Sequence, residues 1–357
     1  MTNLRRPRTV AAFAGLALIA LAGSWVESSA KTRKPSPPPP PPAASVVVLP
    51  RSVIQEAAAY SAYMSRTAAI SPVFGDGPSI ARSLNLGAAY EPDHLVRGAI
   101  AYGAIVALQD PAFVASFRAF KSPAQRQEVA YAILRDPYYV TAFQGSASAA
   151  GAIVNAVGGQ GQALFDQGKL VKQSAYDVQR SSWSKTEVFD RPGRLLATKT
   201  ASAAPPAADV AETARLQQAV LTSGQSPPAA LTPAAAAPPY RSLVIRSLAV
   251  AGLAALGHGG EANITQVSAL MVDPGGSTCL RMSKLNLYQC LAVSRPHYED
   301  VFCLGEHVMM DTGRCLMKTA GAVMPIEPKT TYVATNARPY KPVAKRTPVK
   351  KAPVRKK

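Results

Sequence analysis

The chain has 357 residues, with 39 lysines and arginines against 21 aspartates and glutamates, 31 prolines, four cysteines and 7% aromatic residues. This length is enough for one or two domains. The low charged fraction, and an apolar fraction that consists largely of alanine, exclude a collagen-like chain, a coiled coil and a multispan membrane protein.

The formal charge of +18 is unevenly distributed along the chain. Residues 328–357 carry ten basic side chains and no acidic one, whereas residues 43–327 carry a net charge of only about +3. The basicity therefore belongs to a C-terminal tail, and the part of the chain that can fold is nearly neutral.

The N-terminus has the pattern of a secretory signal peptide over residues 1–30. Arg5, Arg6 and Arg8 precede an apolar stretch over residues 10–22, and Ser28-Ser29-Ala30 offers the small residues of a cleavage site. We expect export, cleavage after Ala30, and a periplasmic or secreted protein without a membrane span in the mature chain. An uncleaved N-terminal anchor is the alternative, because the apolar run is at the lower limit of a spanning helix.

The mature chain is predicted to be mainly α. The fold class is a helical bundle with a small disulfide-stapled hairpin module, a disordered proline-rich linker and a disordered basic tail. The predicted segments are a proline-rich linker (31–44), an α-helical domain (45–185), an Ala/Pro-rich linker with a weak helix (186–239), an apolar helix that packs on the bundle (240–257), a four-cysteine module (258–327) and the basic tail (328–357).

Three capping pairs predict helix starts within the bundle: Asp110-Pro111, Ser122-Pro123 and Asp136-Pro137. The residues from Asp110 to Phe117 match those from Asp136 to Phe143 at the Asp, Pro, Val and Phe positions. This match suggests a duplicated helical hairpin, and convergent capping is the alternative.

Several apolar and glycine-rich runs complete the predicted helices. The run 95–108 is apolar almost all round and is placed at the centre of the bundle, and the run 243–256 is the apolar helix that packs back onto it. The glycines of residues 158–161 predict an interruption in a long helix that ends near Trp183. Residues 209–222 are the weak helix of the linker.

All four cysteines lie between Cys279 and Cys315, and an exported chain meets an oxidising compartment, so the sequence predicts two disulfides. The simplest pairing joins Cys279 to Cys290 and Cys303 to Cys315, each closing a hairpin-sized loop, and the other two pairings stay open. A zinc site is an alternative, although no Cys-x-x-Cys pair is present. Its ligands would be His297, Cys303, His307 and Cys315.

Acid-base chemistry has one candidate group in the sequence. Glu306, His307 and Asp311 fall within six residues, which a hydrolase could use, and a solvated loop is the ordinary explanation. No motif for a phosphate cradle or a covalently attached haem is present, so we predict no cofactor.

The basic tail is expected to bind anionic polymers or lipids of the cell envelope weakly. The tether residues are Lys341, Lys345, Arg346, Lys350, Lys351, Arg355, Lys356 and Lys357. Nucleic acid is not predicted as a partner, since export removes the chain from most nucleic acid and stacking aromatics are sparse.

The sequence thus favours an exported, non-enzymatic cell-envelope protein held near an anionic surface by its tail. Two alternatives stay open. One is an envelope hydrolase that uses Glu306, His307 or Asp311. The other is a protein-binding module of the periplasm in which the duplicated Asp-Pro helices dock a protein partner.

Overall fold

The computed structural model describes residues 46–225 and 235–325, and these residues confirm the predicted mainly α fold class. The signal peptide, the proline-rich linker and the basic tail lie outside the described residues. Within them the α-helices are α1 (Arg51–Ala68), α2 (Gly77–Ala88), α3 (Pro92–Ala107), α4 (Pro111–Arg118), α5 (Pro123–Arg135), α6 (Ser146–Val178), α7 (Arg191–Ala203), α8 (Val210–Leu221), α9 (Ser242–Ala255), α10 (Ile264–Leu270), α11 (Pro274–Val293), α12 (His297–Cys303) and α13 (Asp311–Ala320). Short 3-10 helices cover Pro137–Ala142, Trp183–Lys185 and Glu261–Asn263, and a π-helix over Leu304–Met310 joins α12 to α13.

The predicted capping pairs each open a helix. Asp110 and Ser122 accept backbone hydrogen bonds at the starts of α4 and α5, and Ser122 forms a full capping box with Gln125. Asp136 also caps, but the helix that it opens is the 3-10 helix Pro137–Ala142 rather than an α-helix. The two copies of the suggested duplication therefore share a cap and differ in the helix that follows it.

The centre of the fold is made by α3 and α9, both rich in small apolar residues. Leu248 to Ala251 on α9 and Ala99 to Ala101 on α3 are fully buried. Gly103 of α3 faces Ser247 of α9, and the Ser247 hydroxyl donates to the Ile100 carbonyl at 3.0 Å. Alanine and glycine at this contact let two helix backbones approach closely, so α9 is held inside the bundle.

Helix α6 runs without a break for 33 residues, so the interruption predicted near residues 158–161 is wrong. Its glycines lie at a helix-helix contact instead. A Cβ atom at Gly161 would lie 2.9 Å from the Gly313 carbonyl oxygen, and one at Gly313 would lie 2.5 Å from the Gly161 carbonyl oxygen. Each glycine costs helix stability of about 1 kcal/mol, and this cost is offset by the close packing of α6 on α13.

Residues 186–225 differ from the predicted linker, because they form two packed helices. Helix α8 occupies the predicted weak helix, and α7 was not predicted at all. On α7, Arg191 donates to the carbonyls of Ala292 and Ser294, each at 2.8 Å. These carbonyls belong to the C-terminal end of α11, where the last carbonyls of a helix have no partner within the helix. Charged side chains of α7 therefore fix it to α11.

The cysteine-bearing region is also helical and shares one hydrophobic core with the rest of the bundle. Leu280 and Leu287 of α11, together with Leu316 of α13, are buried in the same cluster as the residues of α1 and α3. Among the described residues no single helix is both long and apolar enough to cross a bilayer. Helices α3 and α4 have the necessary length and hydropathy only when taken together, and this pair is bent by 83°.

Candidate functional site

The four cysteines form two disulfides, but the pairing predicted as the simplest is wrong. Cys279 pairs with Cys315, and Cys290 pairs with Cys303. The reason is that Cys279 and Cys290 lie on the same helix, α11, where eleven residues of helical rise separate them by about 16 Å. A disulfide requires Cα atoms within about 7 Å. Each cysteine of α11 therefore pairs with a neighbouring helix, Cys279 with α13 and Cys290 with α12.

The zinc alternative is contradicted by the same bonds. Two of its four proposed ligands, Cys303 and Cys315, are in disulfides and supply no thiolate. A third, His297, lies with its ring 6.4 Å from that of Trp183 and close to Gly77. The described residues contain no group of three or more His, Cys, Asp or Glu side chains able to hold a metal ion.

The predicted acid-base residues do come together at the junction of the π-helix and α13. His307 Nδ1 lies 2.9 Å from Asp311 Oδ2, and both side chains are about four-fifths buried. The pKa of Asp311 is lowered: burial raises it, and His307 and Arg314 outweigh that effect. The sequence grouped these residues by proximity only, and the solvated loop given as their ordinary explanation is wrong, because they lie in the π-helix and α13 and are mostly buried.

Two cations from other positions complete this cluster. Arg314 Nη1 lies 2.8 Å from Asp311 Oδ1 and 3.2 Å from Glu306 Oε1, and Lys172 Nζ of α6 lies 2.7 Å from Glu306 Oε2. Both carboxylates are therefore held by cations. The arrangement is an ion-pair network that joins α6, the π-helix and α13, and it favours a structural role over proton transfer to a substrate.

No family model matches this chain, and neither the curated proteins nor the solved structures contain a significant match. Function must therefore be argued from the residues and their geometry.

A buried lysine that sequence reasoning missed lies beside the cluster. Lys284 of α11 is 5% exposed; its Nζ donates to the Ala88 carbonyl at 2.8 Å and lies 3.7 Å from the centre of the Tyr90 ring. Burial lowers the pKa of Lys284 to about 7, and Glu91 opposes that change. The one signal in the sequence was its position in the helical spacing between Leu280 and Leu287, on the buried face of α11.

The surroundings of Lys284 explain its role. The Tyr90 hydroxyl lies 3.0 Å from Thr312 Oγ1, and the Ser283 hydroxyl donates to the His307 carbonyl at 2.7 Å. Ala88 is the last residue of α2, and its carbonyl accepts both the Tyr90 N–H and the Lys284 ammonium, each at 2.8 Å, so the lysine binds at a helix C-terminus. We assign Lys284 to fixing α2 against α11 rather than to chemistry.

The lowered pKa of Lys284 predicts that stability rises with pH above neutrality. Its folded pKa of about 7 lies below the unfolded value of about 10.4, so between these values the unfolded chain binds more protons. The free energy of unfolding should then increase by up to about 1.4 kcal/mol per pH unit. Urea denaturation at several pH values checks this, with Lys284→Met as the comparison.

The variant should lose this pH dependence, because methionine fills a similar volume without a titrating group. Burial raises the pKa of Tyr90, which faces the lysine, to about 12. That tyrosine therefore stays protonated in the folded protein over the pH range of this experiment. Parallel pH profiles for the two proteins between pH 7 and 9 would contradict the assignment.

The remaining predicted site residues, the eight tether cations from Lys341 to Lys357, lie outside the described residues.

Proposed function

We propose that this is an exported, non-catalytic protein of the cell envelope, with a disulfide-stabilised helical body tethered to anionic envelope polymers or lipids by the basic tail. The observation that carries the proposal is the pair of disulfides, which use all four cysteines of the chain. Such bonds persist in oxidising compartments and are rare in the reducing cytosol. They are compatible with a location outside the cytoplasm, and the signal-like N-terminus supports that location.

The tail supports the second half of the proposal through its charge. Its ten cations follow a body whose net charge is close to zero. The tail is therefore the part of the chain that an anionic surface attracts most strongly. Each Lys or Arg near an anionic surface contributes up to about 1 kcal/mol, and salt screens the effect. The tether is therefore expected to be reversible and sensitive to ionic strength.

An envelope hydrolase is not favoured by the geometry. Glu306 and Asp311, the two carboxylates of the predicted acid-base group, both lie within ion-pair distance of Arg314. A general acid or base needs access to a substrate atom, whereas these two carboxylates are paired with a cation of the protein itself and are mostly buried.

The tether is tested by co-sedimentation with purified cell wall and, separately, with anionic vesicles. Protein spanning residues 31–357 is compared with protein ending at Glu327 and with a full-length variant in which the eight tether cations are replaced by glutamine. At an ionic strength of about 20 mM, protein with the full tail should sediment with the wall or vesicles. At about 300 mM, where screening is stronger, it should stay in the supernatant. The glutamine variant is the matched control for tail length.

Equal retention of all three proteins at low salt would reject the tether. The location is tested separately by titrating thiols in protein taken directly from cells: no free thiol is expected, and four reactive thiols would reject the proposed compartment.

A further inference from the structure

A groove lined by aromatic rings lies where α6, α11 and α12 meet, beside the Cys290–Cys303 disulfide. Its volume is about 420 Å³. The side chains that form it include Tyr176, Gln179, Val293, Tyr298, Glu299 and Phe302. Neither the ion-pair cluster nor the buried lysine contributes a lining residue, so this groove is separate from the site described above.

The groove presents apolar surface to solvent. Val293 is 74% exposed and Tyr176 is 48% exposed, although both are large apolar or aromatic residues at helix positions. The rings of Tyr176 and Phe302 lie 6.5 Å apart and nearly perpendicular, at 80°. Exposed aromatic rings that line a cleft are typical of sites that bind extended proline-rich peptides, whose polyproline II conformation needs little ordering on binding.

The charge of the groove favours a cationic peptide. Among its lining residues, all of which are described, Glu299 is the one charged side chain. Lys172 lies at the edge, 5.5 Å from the Phe302 ring, but its Nζ is 2.7 Å from Glu306. A ligand that combines prolines with an arginine or lysine would match both the rings and the carboxylate.

The chain itself contains such a segment within reach. Residues 338–342 read Arg-Pro-Tyr-Lys-Pro. The last described residues leave the bundle at Ala322, which contacts Gly158 of α6, and Tyr176 lies about 27 Å further along the same helix. The sixteen residues from Ala322 to Arg338 span up to about 50 Å when extended, so the segment can reach the groove of its own chain.

We propose that the groove formed by Tyr176, Val293, Tyr298 and Phe302 is a binding site for proline-rich basic peptide, and that its occupant is residues 338–342 of this chain's own tail. This goes beyond the tether, because it concerns where the tail lies when no envelope polymer holds it. The docked tail has fewer cations available for an anionic surface, so the two binding events compete. Peptide binding to the groove is measurable without any polymer, and either proposal can fail while the other stands.

The test uses a dye-labelled peptide of residues 328–357, to which protein spanning residues 31–327 is added. Fluorescence anisotropy of the dye measures binding. Trp183 provides a second signal, since its ring lies 6.4 Å from that of His297, the residue before Tyr298. The chain's other tryptophan is Trp25, so in this protein Trp183 reports alone. Saturable binding with a change in Trp183 emission is the expected result.

Four variants, including one control, make the result specific. Tyr176→Ser and the peptide carrying Pro339→Ala and Pro342→Ala should each weaken binding about tenfold, the effect of losing a central anchor residue. Glu299→Gln should weaken binding less and reduce its salt dependence. Tyr131→Ser is the matched control, because this tyrosine is 66% exposed on α5 and does not line the groove.

Protein with its own tail, residues 31–357, should bind the added peptide more weakly than protein ending at Glu327, because the tethered segment competes at high effective concentration. Absence of binding would overturn the proposal. So would equal affinity for the peptide that lacks Pro339 and Pro342, or equal losses from Tyr176→Ser and Tyr131→Ser, because binding would then depend on charge alone. Equal affinity for the two protein lengths would overturn the assignment of the tail as occupant.

Discussion

Replacing Arg194 by alanine should lower the free energy of unfolding by about 3–5 kcal/mol, as expected when one partner of a buried ion pair is removed. Arg194 Nη1 lies 2.5 Å from Asp300 Oδ1, and the side chains of the two residues are only 7% and 4% exposed. The other end of the guanidinium, Nη2, donates to the Leu291 carbonyl at the end of α11. One side chain of α7 thereby holds both α11 and α12.

The large cost follows from what the substitution leaves behind. Burial raises the pKa of Asp300, and Arg194 together with the Ser294 hydroxyl opposes that change. Without the arginine, the carboxyl group must either stay ionised in an apolar environment or take up a proton, and each choice costs free energy. Arg194→Lys should recover part of the loss, because an ammonium keeps the charge but cannot contact Asp300 and the Leu291 carbonyl with a planar fork.

Arg191→Ala is the matched control on the same helix. Arg191 also donates to carbonyls at the end of α11, but its side chain is 28% exposed and water can replace it. Its loss should cost about 2 kcal/mol, since it removes two hydrogen bonds and each typically contributes about 1 kcal/mol net. Urea denaturation of the three variants and the unmodified protein measures these differences, and an Arg194→Ala cost no larger than that of Arg191→Ala would contradict the prediction.

Local signals in the sequence were sufficient to predict where helices α4 and α5 start and which helices are most buried. Asp110 and Ser122 cap α4 and α5 because a capping side chain followed by proline encodes a helix start within three residues. Features that depend on distant contacts were not predictable in the same way. The glycines of α6 permit close packing on α13, which no local pattern indicates. Helix α7 does have a local start signal, the Asp190 cap with Pro192 in the first turn, but its packing depends on contacts of Arg191 and Arg194 with distant residues.

The same division applies to the candidate site. The His307–Asp311 contact follows from their spacing of four residues, which places two side chains on one helix face. Lys172 approaches Glu306 from α6, more than a hundred residues earlier in the chain, so no local pattern indicated that the carboxylate was paired. Disulfide formation was predictable from the even number of clustered cysteines and the expected compartment, whereas the pairing required the knowledge that Cys279 and Cys290 share one helix.

Removing the Cys279–Cys315 disulfide should destabilise the protein by about 4 kcal/mol, and removing Cys290–Cys303 by about 3 kcal/mol, on the loop-entropy model. The difference arises because the first bond joins residues 36 apart in sequence and the second joins residues 13 apart. A longer loop leaves the unfolded chain more freedom when the bond is absent. The pairing predicted from the sequence would instead have closed two loops of nearly equal length, with nearly equal costs.

The measurement uses the two double variants Cys279→Ser with Cys315→Ser, and Cys290→Ser with Cys303→Ser, so that no lone thiol remains to exchange. The Cys303 site is fully buried and Cys315 is 5% exposed, so each variant also places a hydroxyl in the core. Repeating both replacements with alanine separates that contribution from the cross-link. The loop-entropy model fails for this fold if the Cys290–Cys303 variant is the less stable one in both series. Local packing rather than loop length would then determine how much each disulfide contributes to the free energy of unfolding.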